Sequence, residues 1–139
     1  MIKTRVVLDT NVLYAGLYSS GGASHQILRA IERGRIKTVL STALLFEYEC
    51  ILQRNKTELR LSDRDIDKVL DNLCRLSEHQ KIYFLWRPYL VDPGDDHILE
   101  VAVASGTKTI VTHNVKDFKG VDKFGIKAIP PRKLLEEIK

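Results

Sequence analysis

Acidic and small polar residues recur in this chain directly after short β-branched runs, which is where an α/β protein presents side chains to a ligand. Arg5-Val-Val-Leu runs into Asp9, Thr10 and Asn11, and Lys108-Thr-Ile-Val runs into Thr112, His113 and Asn114, with Asp117 three residues further on. Glu47 and Glu49 lie on a helical segment behind another apolar run, and Asp92-Pro-Gly-Asp95-Asp96 opens a further helix. Each acid has an ordinary explanation when taken alone. Asp9 suits a helix N-cap, a glutamate bordering an apolar stripe is normally solvated, acids in a first helical turn complement the helix dipole, and Asn and Asp are common in turns. Their recurrence at four places is what suggests a site.

Three or four carboxylates brought together repel one another, and without a cation some must take up protons. An oxygen-only donor set suits a hard divalent ion, Mg²⁺ or Mn²⁺, better than zinc. Such an ion lowers the pKa of a bound water and holds phosphate oxygens, which favours phosphodiester hydrolysis. Because Mg²⁺ keeps several waters, some of the acids would act through water or as a general base. Asp95 precedes Ile98 and Ala102 on the core-facing side of its helix, whereas Asp96 is turned about 100° away. Glu47 and Glu49 sit on opposite borders of the stripe formed by Leu44, Leu45, Tyr48, Ile51 and Leu52, so periodicity does not choose between them. His113 has no second histidine at metal-ligand spacing and is left out of the site.

The elements that must position these residues alternate. Strands are expected at Arg5–Asp9, Lys37–Ser41, Lys108–Thr112 and Gly125–Ile129, and Ile82–Trp86 reads as a strand or an irregular segment. Helices are expected at Asn11–Tyr18, from Ser24 to Arg33 with Gly34 as its stop, and after a cap at Ser41 or Thr42. A further helix is capped by Ser62 with Asp65 at the box position and carries Ile66, Val69, Leu70 and Leu73. Another runs from the Asp92–Asp96 turn to about Ser105, stopped by Gly106, and a short one follows Pro130-Pro131. This alternation predicts a central, mostly parallel sheet between helix layers, a three-layer α/β/α fold.

The 139 residues fit a single domain, 1–139, and 44% hydrophobic with 29% charged residues excludes wholesale disorder. No apolar run approaches the roughly 18 residues of a membrane span, and the apolar stretch that ends at Asp9 is too short for a secretory signal. Two cysteines, Cys50 and Cys74, make neither a disulfide framework nor a zinc site, so buried or half-buried free thiols in a cytoplasmic protein are expected. The net charge of +4 permits a polyanionic partner without demanding one. Arg54, Lys56, Arg60 and Arg64 form one basic cluster, and Lys116, Lys119 and Lys123 another, either of which could contact phosphates. No P-loop and no Gly-x-Ser-x-Gly elbow is present. An aspartyl-phosphate phosphatase is disfavoured because Asn11 stands where that chemistry commonly wants a second aspartate.

Val-Leu-Asp9-Thr-Asn-Val-Leu, the Gly21-Gly22 loop and the helix after it, Leu-Phe-Glu47-Tyr-Glu, Asp92-Pro-Gly-Asp95-Asp96-His-Ile-Leu and Ile-Val-Thr112-His-Asn114-Val-Lys-Asp117-Phe occur in an order and spacing that resembles the PIN-domain family over nearly the whole chain. The resemblance is greatest to bacterial and archaeal PIN proteins that form the toxin half of toxin–antitoxin pairs, related to VapC-type ribonucleases. It implies a parallel sheet flanked by helices, Mg²⁺ or Mn²⁺ dependence, cleavage of RNA, an antitoxin partner and a homodimer. It places Asp9, Glu47 and Asp95 at the three core acidic positions and Asp117 at the fourth, as catalytic and metal-binding residues, with Thr10, Asn11, Thr112 and Asn114 as supporting polar residues. Asp92 and Asp96 are rivals of Asp95, and Asn114 stands where many relatives carry aspartate. A PIN-like module that binds RNA or a protein and cuts nothing is the alternative function.

Overall fold

The structure, a computed structural model, describes residues 4–82, 89–90 and 93–138. Its centre is β1 (Thr4–Leu8), which has a strand on either edge and whose Val-Val-Leu run is buried on both faces by the helices that cover the sheet. β2 (Ile36–Leu40) pairs with it on one side and β4 (Thr109–Val111) on the other. β3 (Glu78–His79) adds beyond β2 and β5 (Lys127–Ile129) beyond β4, giving a sheet of order β3-β2-β1-β4-β5 with every pairing parallel. Val7 lies opposite Ile110 and Leu8 opposite Val111, so the ends of β1 and β4 are level.

The two-residue period of a strand divides the core into two sides. Val6 and Leu8 pack with Ile36, Val111 and Ile129 against α2 (Ala23–Glu32) and α7 (Pro131–Glu137). Val7 points the other way and packs with Val39, Leu40 and Ile110 against α3 (Thr42–Arg54), α5 (Asp63–Leu76) and α6 (Asp96–Ser105). α1 (Thr10–Tyr18) starts immediately after β1 and gives Val12 to one core and Leu13 to the other. The architecture is the expected three-layer α/β/α sandwich.

Local chemistry fixes three of the helix ends. The Ser41 side chain accepts from the Leu44 N–H at 3.1 Å, so Ser41 rather than Thr42 caps α3. Ser62 and Asp65 exchange both bonds of a capping box at the start of α5. Gly106 takes the left-handed conformation, φ 71°, that closes α6. Among the strands and α-helices, two elements have no counterpart in the sequence reading. β3 is only two residues, both exposed, so it carries no apolar alternation. α4 (Lys56–Leu59) is a single turn with one buried residue. The segment expected at Ile82–Trp86 lies outside the described residues from 83 onward, while Ile82 itself is irregular and half-buried. No helix among the described residues is long and apolar enough to cross a membrane.

Gly16 is a point of close approach between α1 and α2. A Cβ at this position would stand 2.6 Å from Leu28 Cδ1 and 3.0 Å from the Ser24 carbonyl oxygen. Gly16→Ala is expected to destabilise the fold by ~1–3 kcal/mol, the cost of overpacking a tight helix contact. Urea denaturation checks this, and unchanged stability would show that the two helices separate without strain.

Candidate active site

Leaving β1 the chain turns toward β2, whereas β4 lies on β1's opposite side, so the carboxyl ends of β1 and β4 flank the switch point of the sheet. Ligands of open α/β sheets bind in the crevice that such a reversal opens. A cleft of about 380 Å³ occupies this place, and Asp9, Thr10, Asn11, Glu47, Asp95, Asn114 and Asp117 line it. Each arrives on its own element: Asp9 to Asn11 at the junction of β1 and α1, Glu47 on α3, Asp95 at the start of α6, and Asn114 and Asp117 after β4. Of the expected residues only Thr112 is not part of the lining, because it is fully buried behind Asp9.

Asp9 stands at the N-cap position of α1, yet its side chain makes no capping bond. The carboxylate is 7% exposed and accepts instead from the Thr112 hydroxyl at 2.7 Å, while its N–H donates to the Val111 carbonyl at 2.8 Å. Burial raises its pKa above the ordinary carboxylate value. The Thr112 hydroxyl and the Thr10 N–H pull the other way, and the neighbouring charge of Glu47 adds to the rise. The Thr112 hydroxyl, having donated to Asp9, also accepts from the Asn114 N–H at 3.0 Å and the Asn11 Nδ2 at 3.4 Å. Asn11 Oδ1 takes the His113 N–H at 3.2 Å. One hydroxyl thus ties the turn after β4 to the turn after β1.

Tyr48 seats α3 against this junction. Its ring is buried, and a buried phenol needs a hydrogen-bond partner; its hydroxyl donates to the Leu8 carbonyl at 2.6 Å. Burial, then the charges of Asp9 and Glu47, raise the Tyr48 pKa well above its usual value, so it stays protonated and keeps donating. Seated this way, α3 puts Glu47 into the cleft and leaves Glu49 on the far side, exposed and facing a separate groove. Burial pushes the Glu47 carboxyl up, but hydrogen bonds from His97 and Thr10 outweigh it and hold the pKa below the ordinary value.

His97 is the residue that sequence reasoning missed. Its Nε2 lies 3.2 Å from Glu47 Oε1, and its Nδ1 is buried without a hydrogen-bond partner among the described residues. The signal available was its place one residue after Asp96 at the start of α6, and a lone histidine there gave no metal spacing to read. Asp95 lines the cleft, half-buried. Asp96 is fully buried and turned inward, where it accepts the Leu90 N–H at 2.8 Å and the Tyr89 N–H at 3.3 Å, so its work is to hold the chain before α6. Asp92 lies outside the described residues.

The donors facing the cleft are carboxylate and amide oxygens, a set that fits a hard divalent ion. A buried carboxylate with raised proton affinity beside a second carboxylate is the electrostatic deficit that a cation relieves. Among the described residues no three His, Cys, Asp or Glu side chains converge as a ready-made cage. Mg²⁺ does not need one, since it takes one or two carboxylates directly and reaches others through its waters.

The PIN-domain family profile matches residues 5–116, and the chain belongs to that family. Among solved structures it is similar in fold to VapBC2 from Rickettsia felis, crystallised bound to a DNA fragment from their promoter. The identity is 17%, the TM-score is 0.60, and the alignment covers 89% of this chain and 96% of the other. No curated protein matches the sequence.

Asp9 yields a pH-dependent prediction for the metal-free protein. Its pKa is higher folded than unfolded, so its ionised form opposes folding, fully so above the folded value. Asp9→Asn removes that penalty and keeps an acceptor for Thr112. In EDTA the variant should be more stable than wild type at pH 7, and the advantage should shrink as pH falls and vanish below about 3.9, where Asp9 is protonated in both states. Denaturant titrations across this range check it; a variant less stable at pH 7 would contradict it.

Proposed function

We propose that the protein is a divalent-metal-dependent endoribonuclease that hydrolyses RNA phosphodiester bonds as the toxin of a toxin–antitoxin pair. The observation that carries this reading is the convergence of Asp9, Glu47, Asp95 and Asp117 on one cleft at the switch point of the sheet. Membership of the PIN-domain family supports it, and the similarity to a toxin–antitoxin complex supports an antitoxin partner. A homodimer acting in the cytoplasm completes the reading.

Asp9 and Asp95 would hold Mg²⁺ or Mn²⁺ directly, with Asp117 and Glu47 reaching it directly or through water. When bound, the ion supplies Lewis-acid polarisation of a phosphate oxygen and a water acidic enough to attack. The chain's own residues do the rest. Thr112 orients the Asp9 carboxylate and occupies one of its lone pairs. Glu47, kept ionised by His97 and Thr10, is able to take the proton of the attacking water. Asn11, held through its amide by Thr112 and His113, braces the turns around the cleft, and Asn114, held by its backbone N–H, would offer its side-chain amide to the phosphate that is cut.

Two measurements test this. Cleavage of mixed structured and single-stranded RNAs should require Mn²⁺ or Mg²⁺, stop in EDTA, and fall by at least ~10²-fold in Asp9→Asn and Asp95→Asn. RNA bound tightly but uncut under every divalent ion would replace the nuclease reading with a binding module. Wild type should also melt at a higher temperature with rising Mn²⁺, because the ion binds the folded state alone, and Asp9→Asn should lose this response. A flat midpoint for wild type across the titration would count against a metal site.

A further inference from the structure

An acidic cleft does not hold a polyanion by itself. Asp9, Glu47, Asp95 and Asp117 repel every phosphate that an ion does not neutralise, so affinity for a nucleic-acid strand has to come from positive charge elsewhere on the surface. A second cavity, about 470 Å³, lies along α2 and is lined by Ser20, His25, Gln26, Arg29, Arg33 and Arg35, with no carboxylate in its lining.

The helix explains the grouping. His25 and Arg29 are four residues apart and share a face of α2, while Ile27, Ala30 and Ile31 bury the opposite face in the core. Arg33 and Arg35 follow where Gly34, at φ 78°, turns the chain from α2 into β2. Arg35 is fixed by donating to the Ile138 carbonyl at 3.1 Å. Arg29 and Arg33 are exposed, and neither makes a side-chain hydrogen bond or ion pair among the described residues. Three other basic side chains are matched to acids: Arg5 with Glu78, Lys56 with Asp63, and Lys127 with Glu137. Lys56 belongs to the basic cluster around Arg60, where the sequence placed a possible RNA contact, and Glu58, Asp63, Asp65 and Asp67 dilute the positive charge there.

The amino end of α2 links the cavity to the turn after β4, since His25 lines the cavity and Ser24 precedes it. Ser24, next to His25, bonds His113 Nε2 through its hydroxyl at 2.7 Å. His113 lies between Thr112 and Asn114 and donates its N–H to Asn11, and both asparagines line the cleft. A strand leaving the cleft over Asn114 and His113 meets the start of α2 and then its arginines. Guanidinium groups with unused donors match phosphate oxygens, and no aromatic ring other than His25 is present to stack on a base.

We propose that this cavity is a docking site for the phosphodiester backbone of the RNA strand that enters the acidic cleft, with Arg29 and Arg33 binding phosphates away from the scissile bond. The strand's identity rests on the nuclease reading above. The binding itself is measurable without cleavage.

The test compares wild type, Arg29→Gln/Arg33→Gln and a control pair on α5, Lys68→Gln/Arg75→Gln, by fluorescence anisotropy on a labelled single-stranded RNA in EDTA over a salt series. Each single-strand phosphate contact adds about 0.7 to the slope of log affinity against log salt. The α2 pair should therefore flatten the slope by about 1.4 and the control pair should leave it unchanged. With Mn²⁺, KM for a long RNA should rise in the α2 pair while kcat, and cleavage of an RNA too short to leave the cleft, stay as in wild type. Equal slopes in wild type and the α2 pair, or the loss appearing in the control pair, would overturn the proposal while leaving a cutting enzyme a nuclease. The predicted slope change without any cleavage would uphold the docking site and remove the nuclease reading. A wild type that neither binds nor cuts RNA would overturn both.

Discussion

The hydrogen bond from the Thr112 hydroxyl to the buried Asp9 carboxylate is the constraint on which the site depends. It joins the ends of two adjacent parallel strands at the place where the sheet's connectivity reverses, and the same oxygen collects Asn11 and Asn114. A hydroxyl has one proton to donate and two lone pairs to offer, and all three are used. A negative charge at 7% exposure is nevertheless a poor occupant of a protein interior, and one hydroxyl and one N–H do not fully offset its desolvation. The fold therefore holds Asp9 in a state that a cation would stabilise.

Glu47 faces the same cleft under opposite electrostatics. His97 and Thr10 supply enough hydrogen bonding to keep it ionised, and Tyr48, the next residue on α3, anchors the helix so that this geometry persists. Two carboxylates whose environments drive their proton affinities apart are a frequent arrangement in catalytic sites. In this chain the split follows from position. Asp9 ends a central strand and is enclosed from several sides, whereas Glu47 projects from a helix into the opening of the cleft.

Charge is also divided across the molecule. The modest net charge of +4 conceals an acidic cleft at the strand ends and a cavity along α2 whose charged lining is basic. The contact of Ser24 with His113 links the segments that carry the two. An acidic reaction centre bordered by a basic approach suits chemistry on a polyanion, since repulsion at the centre is local and attraction beside it brings the strand within reach.

The local elements were legible in the amino-acid order alone. The β-branched run before Asp9, the box of Ser62 with Asp65, and Gly106 after α6 are short-range signals whose physics acts within a few residues, and the structure has a strand, a capped helix and a helix stop at those places. The alternation of strands and helices was enough for the layered class of fold, and β3 escaped notice because two exposed residues carry no pattern. The acids were legible as candidates, but not their orientation. Only the tertiary structure, through Tyr48 seating α3, sends Glu47 into the cleft and Glu49 away from it, and only the backbone N–H groups of Tyr89 and Leu90 claim Asp96 and leave Asp95 at the cleft wall. The partnership of His97 with Glu47 and the strand order that sets β1 beside β4 depend on contacts between residues far apart in the chain. No local periodicity records such contacts, because they arise from the packing of complete elements.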